Sequence, residues 1–204
     1  MNDDLASDPI DRITTAAVFV APVLLAASTI AYAMESGMNR GAVGGVLQFY
    51  ALGALTIAIV GLVAPLRQVM PRTAAVLLTT GLLTGVFGAS YGIDAIWAAT
   101  TGLPQLVDQD LTAGMIAMGP GALVLPVTFV GLGIAYARTG LAPTPVGYLL
   151  ALAGVAFPAG RATNLLPVAH ITDALLLVAL VAIGRCLLAR ARTRTTVPTS
   201  LAAH

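Results

Sequence analysis

The sequence predicts an all-α integral membrane protein, a six-transmembrane-helix bundle with its N-terminus and its C-terminus both cytoplasmic. Composition, the lengths of the apolar runs and the placement of arginine support this fold class. Of the 204 residues, 58% are hydrophobic and only 9% are charged, whereas a soluble domain carries about 25% charged residues. Because so few charges cannot cover a globule of this size in water, we expect lipid to surround most of its surface.

Apolar stretches close to the ~20 residues needed to cross a bilayer follow one another along the chain. The predicted spans, which make up a transmembrane domain over 13–188, are 13–34, 43–65, 74–99, 113–136, 146–162 and 167–188. They are solidly apolar, whereas the strands of a membrane barrel would alternate polar and apolar residues. Short connections rich in Gly and Pro separate them, so neighbouring spans are expected to be antiparallel. An acidic segment, 1–12, and an Arg-rich tail, 189–204, are predicted to be cytoplasmic, and the tail to be disordered.

Arginine sets the orientation, because cytoplasmic loops of membrane proteins carry an excess of basic residues. With the N-terminus inside, Arg40 and Arg161 fall outside. The other arginines fall inside: Arg12, Arg67, Arg72, Arg138, Arg185, Arg190, Arg192 and Arg194. Small residues before Met34 are similar to a signal-peptide cleavage site, but the acidic start favours an uncleaved first span. The expected location is the cell (plasma) membrane, as a multi-pass protein, and the use of Arg alone among basic residues is typical of a GC-rich bacterial genome.

Polar side chains concentrate at the outer ends of the predicted spans. Tyr91, Asp94 and Trp97 are spaced by three residues near the end of the third span, and this spacing places them on neighbouring positions of one helix face. Asp94 lies at the C-terminal end of its helix, where the helix dipole disfavours a carboxylate. We therefore expect Asp94 to have a cationic partner or to contact a cationic ligand.

A second polar group surrounds the connection between the last two spans. Arg161 and Asn164 precede the sixth span, and His170 and Asp173 lie three residues apart in its first turns. A carboxylate at the bilayer centre costs about 2.5–3.5 kcal/mol on insertion scales, so Arg161 is expected to pair with Asp94 or Asp173. The predicted outward-open pocket has these candidate ligand-binding residues: Tyr91, Asp94, Trp97, Arg161, Asn164, His170, Asp173 and Gln48.

Structural roles compete with this interpretation. Tyr91 and Trp97 are also typical of the aromatic belt at a membrane interface. The dipole at the start of a helix favours Asp173, and Glu35 could simply end the first span among lipid headgroups. Pro120 and Pro126 in the fourth span and Pro158 in the fifth are predicted to kink their helices, and Pro120 and Pro158 to widen the outer half of the bundle, although packing alone also explains them. Gly81, Gly85 and Ala89 are spaced by four, which favours close helix packing within the bundle or in a homo- or hetero-oligomer.

Several function classes find no support in the sequence. A net charge of +1 without a basic patch excludes a nucleic-acid partner. Cys186 is the single cysteine, so an intrachain disulfide and a thiolate cluster are excluded. His170 and His204, the two histidines, do not provide facing haem ligands within the spans. The HExxH, Walker and GxSxG motifs do not occur, and we expect neither a metal nor another cofactor.

Three functions remain open. In the first, the outer polar pocket binds or passes a small amphipathic or cationic molecule, with Asp94 and Asp173 supplying negative charge and Tyr91 and Trp97 cation–π contacts. In the second, the protein is an intramembrane enzyme acting on a lipid or isoprenoid. The acid would then be Asp94, Asp173 or Glu35, with His170 as the base, because a carboxylic acid in an apolar pocket can keep its proton at neutral pH and donate it. In the third, the protein is an accessory or structural membrane subunit.

Overall fold

The computed structural model of this chain describes residues 9–35, 37, 39–108, 116 and 118–195, and these ranges contain helices and no strand. The helices are α1 (Pro9–Met34), α2 (Ala42–Val63), a short α3 (Leu66–Val69), α4 (Pro71–Thr101), α5 (Gly121–Thr139), α6 (Thr144–Ala162) and α7 (Leu166–Thr195). A 3-10 turn, Leu106–Asp108, lies between α4 and α5. Within the described ranges, five helices are long and apolar enough to cross a membrane: α1, α2, α4, α5 and α7 over Leu166–Arg190. An all-helical chain with these helices supports a multi-pass membrane bundle.

The helices differ from the predicted spans in three places. The fifth predicted span, 146–162, corresponds to α6, which is not among the five because Pro, Gly and Arg residues lower its hydropathy. Of the fourth predicted span, 113–136, residues 113–115 and 117 lie outside the described residues; α5 begins at Gly121, and Pro120 stands just before it in a turn, where proline does not kink a helix. At the other end of the chain, α7 continues to Thr195, into the segment predicted as a disordered tail. Residues 1–8 and 196–204 lie outside the described residues.

The long helices form a closed ring, because each packs against the next and α7 returns to pack against α1. Neighbours run antiparallel: Gly44 and Gly61, near the two ends of α2, lie against Tyr32 and Thr14 of α1 respectively. The end of the bundle at which α1, α4 and α6 terminate is called the polar end. The opposite end, where α1 begins, is the basic end.

Glycine permits the closest approaches in this ring. A Cβ atom on Gly92 of α4 would lie 2.8 Å from the carbonyl oxygen of Gly45 in α2, and one on Gly133 of α5 would lie 2.4 Å from that of Gly147 in α6. The backbones of these helix pairs are therefore in contact, as in other bundles with small interface residues. Gly81 and Gly85 also pack against α2 within the chain. Ala89 lines an apolar groove on the outer surface between α2 and α4.

Large apolar side chains fill the ring toward the basic end. Leu62, Leu132, Tyr136 and Ile183 are fully buried there, and the Tyr136 hydroxyl donates a hydrogen bond of 2.8 Å to the Leu62 carbonyl oxygen. The outer surface is apolar as well, as lipid contact requires: its exposed side chains include Val20, Val86, Val155 and Val178. Polar side chains enter the ring from the polar end.

Candidate functional site

A cavity of about 340 Å³ opens inside the ring at the polar end. Its lining residues come from α2, α4, α5 and α6 and from the connections above them: Asn39, Arg40, Gln48, Leu52, Gly88, Tyr91, Gln105, Asp108, Gly121, Ala122, Leu125, Phe157, Pro158, Arg161 and Asn164. The volume lies at the lower end of the range of small-molecule pockets, about 300–1,000 Å³. Hydrogen-bonding groups and apolar side chains share the lining, so the cavity has the character of an amphipathic site.

A buried ion pair stands beside this cavity. Arg161, in the last turn of α6, places its Nη2 atom 3.6 Å from Oδ1 of Asp173 in α7. The same Nη2 donates to the Thr29 hydroxyl of α1 at 3.2 Å, and that hydroxyl donates to the other carboxylate oxygen of Asp173. The Asp173 side chain is 3% exposed and that of Arg161 11%. Asp94 and Asp173 were the two acids predicted as partners of Arg161, and the structure pairs Arg161 with Asp173. Thr29 completes a triad across α1, α6 and α7.

Phe157 supports the guanidinium from one turn earlier in α6. The Arg161 Cζ atom lies 4.7 Å from the centroid of the Phe157 ring, a cation–π distance. The triad nevertheless leaves hydrogen-bonding capacity unused. Among the described residues, neither Nη1 of Arg161 nor Oδ1 of Asp173 has a hydrogen-bond partner, although both atoms are buried. Since 3.6 Å exceeds a normal hydrogen-bond length, the two charges attract each other without saturating each other's donors and acceptors.

Further hydrogen bonds connect the chain segments around the mouth of the cavity. Gln105 donates to the Asn39 carbonyl oxygen at 2.6 Å, and Asn39 donates to that of Arg161 at 3.4 Å. Arg40 and Asp108 form a salt bridge of 3.3 Å above them, with both side chains about half exposed. Exposed pairs of this kind contribute about 0–1 kcal/mol. The partly buried hydrogen bonds of the Gln105 and Asn39 side-chain amides therefore hold the mouth in place more than the surface salt bridge does.

Gln48 is held on the opposite side of the cavity by α1. The hydroxyl of Tyr32, which is fully buried, donates to the Gln48 side-chain oxygen at 3.0 Å. Tyr91 lies on the neighbouring helix α4, and its hydroxyl donates to the Met118 carbonyl oxygen at 3.0 Å. Two of the predicted ligand-binding side chains thus line the cavity in positions set by hydrogen bonds to neighbouring segments.

Asp94 is buried beside the connection that follows α4. Its Oδ1 atom accepts a hydrogen bond of 2.9 Å from the backbone N–H of Leu106, the first residue of the 3-10 turn, and the side chain does not line the cavity. The turn returns the chain to the helix end from which Asp94 projects. The carboxylate therefore anchors this connection.

An Asp94→Ala variant is expected to be less stable by about 1.5–3 kcal/mol, because it removes a buried carboxylate that accepts a hydrogen bond from the Leu106 backbone N–H. Unfolding in mixed detergent micelles, followed by circular dichroism, measures this loss. Asp108→Ala is the matched control, since it removes a half-exposed carboxylate from the same connection and should change stability by less than about 1 kcal/mol. Equal stability of the wild type and the Asp94 variant would contradict the anchoring role.

The remaining predicted site residues lie apart from the triad. Trp97 is 51% exposed on the outer surface, because three-residue steps rotate a side chain by about 60° each time and carry Trp97 away from the face of Tyr91. Glu35 caps α2, since its two carboxylate oxygens accept hydrogen bonds of 3.1 Å each from the backbone N–H groups of Val43 and Gly44. His170 is exposed. Asn164 stands at the cavity with a left-handed backbone, φ 55°.

Sequence reasoning missed Thr29, Tyr32, Gln105 and Phe157. The spacing of Thr29 and Tyr32 on α1, three residues apart near its C-terminal end, is the one signal that could have pointed to these two residues. In the part of the chain that the structure describes, no group of three or more His, Cys, Asp and Glu residues is placed to hold a metal ion. No protein-family profile, curated protein or solved structure matches this chain.

Proposed function

We propose that this is a six-span plasma-membrane protein whose cavity opens to the outside and binds or passes a small amphipathic molecule. Two observations support six spans. α6 lies between α5 and α7 in the ring and has the same length as α5, 19 residues. The arginine distribution supports the orientation, since Arg12, Arg67 and Arg138 gather at the basic end, the expected cytoplasmic side.

The cavity carries this proposal. Its volume of about 340 Å³ has room for a small molecule, and its two kinds of lining suit the two parts of an amphipath. Gln48, Tyr91 and Arg161 provide polar groups for a head group, and Leu52 and Leu125 provide an apolar surface for a short chain. The mouth lies at the ends of the helices, where the membrane meets water, so such a molecule can enter without crossing the hydrocarbon core.

Charge favours an amphipathic ligand over a simple cation. Asp94 and Asp173 do not line the cavity, whereas Arg40 and Arg161 do. Among the described residues, Asp108 is the one acid in the lining, and it is paired with Arg40. A cation in the cavity would thus face a guanidinium, and no free carboxylate among the described lining residues lies opposite it.

Filling the cavity is expected to abolish binding. Ala122 lines the cavity, so an Ala122→Phe variant in lipid nanodiscs should bind six-carbon probes (hexanol, hexanoate and hexylammonium) at least about tenfold more weakly than the wild type. Leu123→Phe is the matched control, since Leu123 is 64% exposed on the outer surface. Calorimetric titration measures the affinities, with empty nanodiscs subtracted. The proposal fails if the wild type binds none of the probes, or if Ala122→Phe binds them as the wild type does.

A further inference from the structure

We infer that the cavity recognises a carboxylate head group, with Arg161 as the residue that binds it and Asp173 as an internal anion that competes with it. This inference rests on the proposed function and assigns the chemical class of its ligand. The ligand class is a small monocarboxylate with a short apolar chain. The triad of Thr29, Arg161 and Asp173 is the part of the site from which the assignment follows.

The first step is the donor capacity of Arg161. A guanidinium carries five N–H donors in one plane, and Thr29 accepts from Nη2 while Nη1 has no acceptor among the described residues. A guanidinium removed from water at membrane depth strongly favours an added acceptor. The two oxygens of a carboxylate match the planar fork of a guanidinium better than a hydroxyl or an amide oxygen does.

Asp173 leaves one of its two carboxylate oxygens without a hydrogen bond among the described residues. Its Oδ2 atom is held by Thr29, whereas Oδ1 remains 3.6 Å from Nη2 and makes no hydrogen bond among the described residues. Asp173 therefore neutralises much of the Arg161 charge without occupying Nη1. Because Nη1 is buried, a ligand carboxylate reaches it when the guanidinium turns toward the cavity that Arg161 lines; the carboxylate then gains hydrogen bonds that Asp173 does not make, but it also meets the negative charge of Asp173.

The two arginines of the lining limit the negative charge that a ligand can carry. Arg40, the second arginine of the lining, forms a salt bridge with Asp108 and is half exposed. One buried guanidinium, already partly neutralised, suits a single negative charge and not the higher charge of a phosphate. The apolar lining next to Phe157 receives the chain of such a monoanion.

The test compares hexanoate, hexanol and hexylammonium in nanodiscs of zwitterionic lipid. We expect the wild type to bind hexanoate more tightly than the other two probes. Asp173→Asn should bind hexanoate at least about tenfold more tightly than the wild type, because it removes the competing anion and leaves Arg161 in place. Its affinity for hexanol should stay within about twofold of the wild-type value.

Two variants separate this local effect from general charge. Asp108→Asn makes the same charge change at the mouth, and it should alter hexanoate binding by less than about twofold because water screens the exposed Arg40. The double variant Arg161→Gln/Asp173→Asn keeps a neutral pair, so it should bind hexanoate about tenfold more weakly than the wild type and hexanol equally. The double variant also tests the inference if Asp173→Asn alone does not fold, as judged by circular dichroism and gel filtration.

The outcomes distinguish this inference from the function on which it rests. Tighter binding of hexylammonium, or hexanoate binding that Asp173→Asn weakens or leaves unchanged, would overturn the carboxylate assignment. The proposed function survives that result as long as Ala122→Phe still blocks the probe that binds. Absence of binding of all three probes to the wild type and to Asp173→Asn would overturn both.

Discussion

An Arg161→Met variant is expected to lose about 3–5 kcal/mol of unfolding free energy, because it leaves a buried carboxylate without its cation. Asp173 is 3% exposed, and the Thr29 hydroxyl would remain as its hydrogen-bond donor among the described residues. Unfolding by sodium dodecyl sulfate in mixed micelles, followed by circular dichroism, measures the difference. Adding Asp173→Leu to the same chain should recover most of the loss, since replacing both charges by apolar groups is often neutral or stabilising by about 1–4 kcal/mol.

The diagnostic quantity is the coupling between the two substitutions. A double-mutant cycle over Arg161→Met and Asp173→Leu should give an interaction energy at the upper end of the ~0.5–3 kcal/mol seen for residues in contact. If the two single losses instead add in the double variant, the ion pair does not act as a unit, and the triad has no role in holding α1, α6 and α7 together.

A Gly133→Val variant is expected to destabilise the bundle by about 3 kcal/mol, the second large effect. A Cβ atom at this position would lie 2.4 Å from the carbonyl oxygen of Gly147 and 2.5 Å from the backbone nitrogen of Ala151. Both atoms belong to the backbone of α6 and cannot rotate away, so α5 and α6 must separate. The same mixed-micelle unfolding measures this loss.

Gly53→Val is the control for the substitution itself. Gly53 is also inside a helix, but a Cβ atom there would have no neighbour within 4 Å. The free energy of unfolding of the Gly53→Val variant should therefore change through helix propensity alone, by less than about 1 kcal/mol. Equal effects at Gly53 and Gly133 would show that backbone contact between α5 and α6 does not contribute to stability.

The helices were predictable because apolar runs near membrane length are among the strongest patterns that a sequence carries. The errors lie at helix ends. The apolar run that includes 113–136 continues through Gly119 and Pro120, so hydropathy does not register the turn that precedes α5. In α7, hydropathy falls at the arginines after 188 while the backbone hydrogen bonding continues to Thr195, because a helix does not end where the lipid ends.

The site was predictable only where charge marks it. Arg161 and Asp173 stand out in an apolar chain, and the cost of burying a charge alone predicts that Arg161 meets an acid, with Asp94 and Asp173 both open as its partner. Thr29 carries no such mark, and its contact with Asp173 depends on the closure of α7 onto α1, which no local pattern encodes. For Asp94 the dipole argument predicts a cationic partner or ligand, and this stays a prediction, whereas its hydrogen bond from the backbone N–H of Leu106, twelve residues later, was not predicted. A backbone N–H is present at every residue other than proline, so composition cannot reveal it.

Ring closure has a consequence for biosynthesis. Thr29 and Asp173 are 144 residues apart in the chain, and they come together only where the first long helix meets the last. A ribosome that has synthesised α1 to α6 has therefore produced Arg161 before its acidic partner exists. Until α7 follows and packs against α1 and α6, Arg161 lacks the Asp173 carboxylate, so the addition of α7 is the step that completes both the ring and the ion pair.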